Sequence, residues 1–325
     1  MTFTSRRRFL QTVMGSSAVG VLTGMLSGCT TPPRASTPET TAGEATPGAP
    51  PAHYVTTSLA DGLWLITGGA ANVVAARGPD GLVLVDGGLE QDAAQLQRVV
   101  LKDCGATRIA TLFNTHWHPE QTGANTRLGR SGAQIIAHEK TRLWLTQKIV
   151  VDWRPGSYGP FTAPALPTVT TYATGTLAFG SQHADYGHLG QAHTDGDLYV
   201  YLRESNVLVA GGVVSADRWP ILDWQTGGWI AGLVGAHDRL IKVCNDSTRI
   251  IPANGPVISL ADLKAMRAMY FTIYQRMVKA LTSGLSPAET VAEGPTREFQ
   301  PTWGSPDRFV AEAFKSQWPH QAPNA

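Results

Sequence analysis

The chain has 325 residues, 26 of them basic and 25 acidic, for a formal net charge of +1, and 42% are hydrophobic. That apolar fraction is enough for a packed core and excludes a wholly disordered chain. The balanced charge excludes nucleic-acid binding through bulk electrostatics, and three cysteines are too few for a disulfide framework.

Residues 1–29 read as an address rather than as part of the fold. Ser5 to Gln11, S-R-R-R-F-L-Q, resembles the twin-arginine export signal. The stretch that follows is only weakly hydrophobic, broken by Gly15, Gly20 and Gly24, so it suits a cleaved signal better than a membrane span. Leu26-Ser27-Gly28-Cys29 resembles a bacterial lipobox, which implies lipidation at Cys29 and an exported protein held on the envelope or periplasmic side of a membrane. Residues 30–52 contain no large apolar side chain and several prolines, and form a flexible tether. Removing residues 1–28 takes three of the 26 basic residues and no acid, leaving 23 against 25, so the mature charge still points away from nucleic acid.

Residues 53–325 make one domain with a C-terminal helical extension. Leu63–Ile66 and Asn72–Ala75 are predicted strands, and Leu82–Val85 is an apolar run between Asp80-Gly81 and Asp86-Gly87-Gly88, as in a strand buried on both faces. Leu89–Leu101 has helical apolar spacing. Arg108–Phe113 is the next strand, and Pro119–Leu128 a helix with proline at its first position. Gln134–Ala137 is a strand and His138–Val150 a helix, followed by a loop over Val151–Pro167. The second half gives strands at Thr168–Ala173, Leu198–Leu202, Val207–Ala210 and Arg249–Ile251, with helices near Trp229–Leu240 and Ser259–Leu281. Two strand-rich halves with interspersed helices suggest two packed sheets with helices outside.

The chemistry is concentrated in T-H-W-H-P-E-Q, Thr115 to Gln121. Two histidines at i and i+2 on extended backbone project to the same side, so His116 and His118 can reach one ion at about 2.0–2.1 Å. His193, in A-H-T-D-G-D, also sits at a strand end. Three neutral histidines with one open position describe a catalytic zinc site, with one Zn2+ per chain. Glu120 is the candidate general base or a weak metal ligand, although an acid in a first helical turn also suits the helix dipole.

With these motifs the sequence resembles the metallo-β-lactamase superfamily. The landmarks, in order, are Leu82–Gly88, Asn114–Glu120, Ala192–Asp197, Leu208–Gly212 and Ile251–Pro256. The resemblance implies an α+β, four-layer αββα sandwich with metal bound at strand ends between the sheets. It also marks departures. The family's first motif usually reads H-x-H-x-D-H, where this chain has Glu120 and Gln121. Gly212 stands where the family has a bridging Asp, and Asn254 where it has His. The first metal site is therefore expected intact and the second degenerate, and restoring Asp at 212 with His at 254 is expected to raise metal content toward two. Asp86 and Gln121 are expected behind the ligands, holding the histidine loop through hydrogen bonds.

Trp153, Tyr158, Trp219 and Trp224 are candidates for an aromatic rim around a small-molecule substrate, with core packing the competing role for each. Arg154 and Arg218 are candidates to pair with a substrate carboxylate. No G-x-S-x-G, S-x-x-K, P-loop or G-x-G-x-x-G string appears. The expected function is an exported hydrolase in which zinc-bound hydroxide attacks the carbonyl of an amide, lactam, lactone or ester. The competing reading is a non-catalytic binding protein on the same fold, motivated by Gly212 and Asn254.

Overall fold

The computed structural model describes residues 52–321. The export signal, the Cys29 lipobox and the tether up to residue 51 lie outside the described residues.

Seven strands form the first sheet in simple chain order: β1 (Val55–Ala60), β2 (Leu63–Thr67), β3 (Val73–Gly78), β4 (Gly81–Val85), β5 (Ile109–Phe113), β6 (Gln134–His138) and β7 (Val169–Thr171). The second sheet runs β12 (Arg249–Asn254), β11 (Val207–Ser215), β10 (Leu198–Leu202), β9 (Gln182–His188) and β8 (Thr174–Phe179). The pairs β4–β5, β5–β6 and β6–β7 are parallel, as is β11–β12, whereas the hairpins β1–β2–β3–β4 and β8–β9–β10–β11 are antiparallel.

The layer order follows from alternation along the strands. In β4, Val83 and Val85 point into the core between the sheets, while Leu82 and Leu84 point to a second core under helices. In β11, Val207 and Val209 face between the sheets, and Leu208 and Ala210 face the helices on the other side. A strand buried on both faces reads as a continuous apolar run, and that is why these strands are visible in the sequence. On the outer face of the first sheet lie α1 (Ala93–Asp103), which buries Ala93, Leu96 and Val100, and α3 (Asn125–Arg130), which buries Leu128. On the outer face of the second lie α5 (Ile230–Val243), α6 (Leu260–Thr282) and α8 (Asp307–Lys315). The result is the expected αββα sandwich.

Several boundaries differ from expectation. The predicted helix 119–128 is two short helices, α2 (Pro119–Thr122) and α3, because the backbone of Gly88–Glu90 passes hard against Gly123. A Cβ there would lie 2.2 Å from the Glu90 amide nitrogen. The predicted helix 138–150 shortens to α4 (Glu139–Leu145), capped by His138, whose Nδ1 accepts from the Lys140 amide at 3.2 Å. The extension beyond α6 holds α7 (Pro287–Ala292), α8 and α9 (Trp318–Gln321). Cys104 and Cys244 are both free. Among the described residues, no helix is long and apolar enough to cross a membrane.

Candidate metal centre

The heptapeptide leaves the C-terminal end of β5 and turns into α2. Asn114 anchors the turn: its side-chain amide donates to the Gln121 carbonyl at 3.0 Å and exchanges hydrogen bonds with Asn125. Trp117 is fully buried, with its indole N–H donating to Thr226 Oγ1 at 3.0 Å, and the two flanking histidines converge on the other side chain that matters. His193 comes from the loop between β9 and β10. His193 Nε2 stands 3.2 Å from His116 Nε2 and 3.2 Å from His118 Nδ1. All three are buried, and among the described residues they are the one group of three His, Cys, Asp or Glu side chains with ligand atoms within 4.8 Å of each other. A tetrahedral ion with bonds of about 2.0–2.1 Å needs ligand atoms about 3.3–3.4 Å apart, so the spacing of His193 Nε2 from its neighbours fits one such ion.

Each histidine segment is held by its own buried carboxylate. Asp86, at the end of β4 with φ +66°, accepts the Thr115 amide at 2.9 Å and the Thr115 hydroxyl, and Thr115 Oγ1 in turn lies 3.1 Å from His116 Nδ1. Asp223 Oδ2 lies 3.1 Å from His118 Nε2 and accepts from Thr226 Oγ1 at 2.5 Å. Asp197 accepts the backbone amides of His193 at 2.7 Å and Thr194 at 2.8 Å. Partners on the far nitrogen fix tautomer and ring orientation, leaving the inward lone pairs of His116 and His118 available. Asp197 and Asp223 had no assigned role in the sequence. The first was visible inside A-H-T-D-G-D. The second meets His118 only because a loop 105 positions away docks on it.

Electrostatics favour neutral imidazoles. Burial holds His116 well below the ordinary histidine range, with its two neighbours lowering it further, and burial together with His118 brings His193 down to about 3. Burial raises Asp86 to about 7 against the pull of its Thr115 bonds, and raises Asp197 to about 8. Burial also raises Asp223, but its bonds to His118 and Thr226 outweigh this and leave it below the usual carboxylate range.

The sequence profile of the metallo-beta-lactamase superfamily matches residues 66–253, more than half of the chain. The chain belongs to the metallo-beta-lactamase superfamily. Among solved structures, a metallo-beta-lactamase from Pontibacter korlensis superposes with a TM-score of 0.57 at 19% identity, over 67% of this chain and 99% of that one. The DIM-1 metallo-beta-lactamase gives 0.55 at 17%, over 67% and 97%. A double mutant of the sec-alkyl sulfatase PisA1 gives 0.63 at 13%, over 82% of this chain and half of that one. At these identities the likeness is one of fold. No curated protein matches the sequence.

The packing around Gly212 gives that departure a physical meaning. Gly211, with φ +58°, and Gly212 carry β11 directly past the site, with register shifts against β12 on both sides of Gly211. A Cβ on Gly212 would lie 2.3 Å from His193 Cδ2, 2.5 Å from its Nε2 and 2.9 Å from His116 Cε1. The imidazoles therefore fill the space that an Asp side chain needs, and an Asp at 212 would have to displace one of them.

A cleft of about 170 Å³ opens on the histidines, lined by Glu120, Gln121, His116, His193, Gly212 and Asn254 on the site side. Glu120 is partly exposed there and stands outside the three-histidine cluster. Gln121 is buried, and its Oε1 has no hydrogen-bond partner among the described residues. Of the four candidate rim aromatics only Trp219 lines the cleft. Trp153 packs on the His118 ring at 4.5 Å, and Tyr158 is buried with its hydroxyl 2.8 Å from Thr122 Oγ1. Trp224 lies beside Trp318. Those three serve packing instead, because the Val151–Pro167 loop folds onto Trp117 and the 3₁₀ turn Trp224–Thr226 meets the C-terminal helices. Arg154 lies over the Tyr158 ring. His183 pairs with Glu204, and His188 stacks on His138 at 3.8 Å, so neither approaches the cluster.

Proposed function

We propose that this chain is a metal-dependent hydrolase with a mononuclear site, and that its ion is zinc held by His116 Nε2, His118 Nδ1 and His193 Nε2. The observation that carries the proposal is the convergence of those three buried nitrogens, with His116 and His193 lining an open cleft. When bound, such an ion supplies Lewis acidity and lowers the pKa of water toward neutrality. Everything else falls to the chain. Asp86 acting through Thr115, Asp223 and Asp197 keep the ligands oriented. The Glu120 carboxylate, reaching the cleft from the first turn of α2, takes the proton of the attacking water. Gln121 Oε1, an acceptor without a partner, receives a hydrogen bond from water or substrate. The proposed substrates are small amides, lactams, lactones or esters.

The test joins metal content to hydrolysis of a panel of those four classes. His118→Ala and His193→Ala should lose both metal and activity. Glu120→Gln should keep the metal and slow turnover by about 10²–10⁴-fold. A protein that binds one zinc yet is inert on the whole panel would instead support the binding-protein reading that Gly212 and Asn254 motivate.

We also propose that the protein is exported and anchored through a lipid on Cys29, on the strength of Ser5–Gln11 and Leu26–Cys29. Cys29→Ser should release it from membranes. A wild-type protein that fractionates as soluble with an unmodified N-terminus would defeat the proposal.

A further inference from the structure

One residue lining the cleft, Arg308, comes from a segment outside the family-matched residues 66–253. Arg308, at the second position of α8, lines the cleft together with Arg218, Trp219, Pro220 and Ile221. Its side chain is 58% exposed, and its one ion pair among the described residues is a loose 3.8 Å approach of Nε to Glu312. The fork of its terminal nitrogens is thus unspent. Arg218 adds a second cation, bound side-on by Asp217 at 2.8 and 3.1 Å.

Arg308 is not on a loose tail. Its neighbour Phe309 is buried and stacks on Trp219 at 5.2 Å and 21°. One turn on, Glu312 accepts the Leu222 amide at 2.9 Å, and Ser316 Oγ accepts the Ile230 amide at 3.3 Å. These contacts fix α8 against the loop 216–223 that carries Arg218 and Asp223, and against the start of α5. A cation in a first turn opposes the helix dipole, and a loose i,i+4 approach to Glu312 is the one ion pair α8 gains from it among the described residues.

We propose that Arg308, seconded by Arg218, is a specificity-determining cation that seats an oxyanionic group of the substrate, a carboxylate or a sulfate. This rests on the hydrolase reading and names its substrate class: an anionic small molecule whose charged group points away from the histidines. A guanidinium fork matches two oxygens of such a group in parallel, which an ammonium cannot do. The indole of Trp219 and Pro220 beside it give the apolar stem of such a molecule a surface to lie on.

Calorimetric titration of the purified, zinc-loaded full chain tests this. Glutarate is compared with uncharged glutaramide, and methyl sulfate with dimethyl sulfone. At least one anion should bind about tenfold or more tightly than its neutral counterpart. Arg308→Gln should remove about tenfold of that anion's affinity and leave the neutral compounds unchanged, and Arg308→Lys should recover only part. Arg308 is exposed, so the melting temperature should not move; if Arg308→Gln does misfold, Arg218→Gln gives the same comparison. The dependence on Arg308 should persist after chelation of the metal. The proposal fails if neither anion is preferred, if Arg308→Gln leaves anion affinity unchanged, or if the preference vanishes with the metal, since the ion alone then binds the anion. A chain that binds these anions through Arg308 but hydrolyses nothing keeps this inference and loses the hydrolase reading. A hydrolase without the preference does the reverse.

Discussion

Gly212→Ala is the smallest change that probes how the site is packed. The added Cβ would sit 2.3 Å from His193 Cδ2 and 2.9 Å from His116 Cε1, against ordinary contacts that begin near 3.4 Å. One ring must retreat by about 1 Å or more. Asp197 holds the His193 backbone by two amide bonds, and the ring is boxed in by two imidazoles, so the shift falls on the ligand nitrogens themselves. Overpacking of this kind costs about 1–3 kcal/mol of stability. Loss of a partner behind a ligand costs about 10–100-fold in metal affinity, and displacing the ligand itself costs more, so metal affinity should fall by about 100-fold at least. Competition with a chromophoric chelator measures the affinity, and thermal melts of the metal-free protein measure the packing term separately. Gly212→Asp should behave no better than Gly212→Ala. Wild-type affinity and melting temperature in Gly212→Ala, or two ions per chain in Gly212→Asp, would refute the steric reasoning.

Asp223→Asn keeps an acceptor for His118 but removes the charge, so metal affinity should drop by about 10–100-fold with little change in helix content; circular dichroism and metal competition together check this. Burial raises the Glu312 carboxyl to about 7 from an ordinary 4.5, so the folded state binds its proton more tightly than the unfolded chain and the group's contribution to stability is lost as pH rises through that window. Relative to wild type, Glu312→Gln should therefore gain stability between pH 4.5 and 7, by at most about 3 kcal/mol, and denaturant melts in which the difference is flat with pH would contradict the burial argument. Phe309→Ala should cost about 3–5 kcal/mol, as a fully buried aromatic does, and should also blunt any anion preference because α8 loses its stack on Trp219.

The parts of the fold legible in the sequence are those where local pattern and burial agree. β4, β5, β6 and β11 are apolar runs because both faces are covered, and α1 shows one buried stripe. β1, β8 and β9 escaped notice because at least one face is open to water, so strings such as T-G-T-L-A-F and Q-H-A-D-Y-G-H carry little apolar signal. The histidine cluster was legible from spacing and motif order, and the three residues do converge. Its setting was not. Asp223 and Arg308 acquire their places only through loop and helix docking across the second sheet, and no local string announces that. Gly212 was legible as a missing carboxylate, but the two rings that occupy its vacant volume are a fact of packing alone.

The position of the cluster bears on how the domain holds itself together. His116 and His118 hang from the end of β5 in the first sheet, while His193 leads into β10 of the second. In an unfolded chain His193 is 75 or more residues from the other two ligands, so an ion seated on all three binds the native state alone. By mass action a ligand present at about 100 times its dissociation constant stabilises the folded form by about 2.7 kcal/mol. A single ion would thus act as a rivet through both sheets, and chelation should lower the melting temperature and loosen the seam between the halves before it disturbs either sheet.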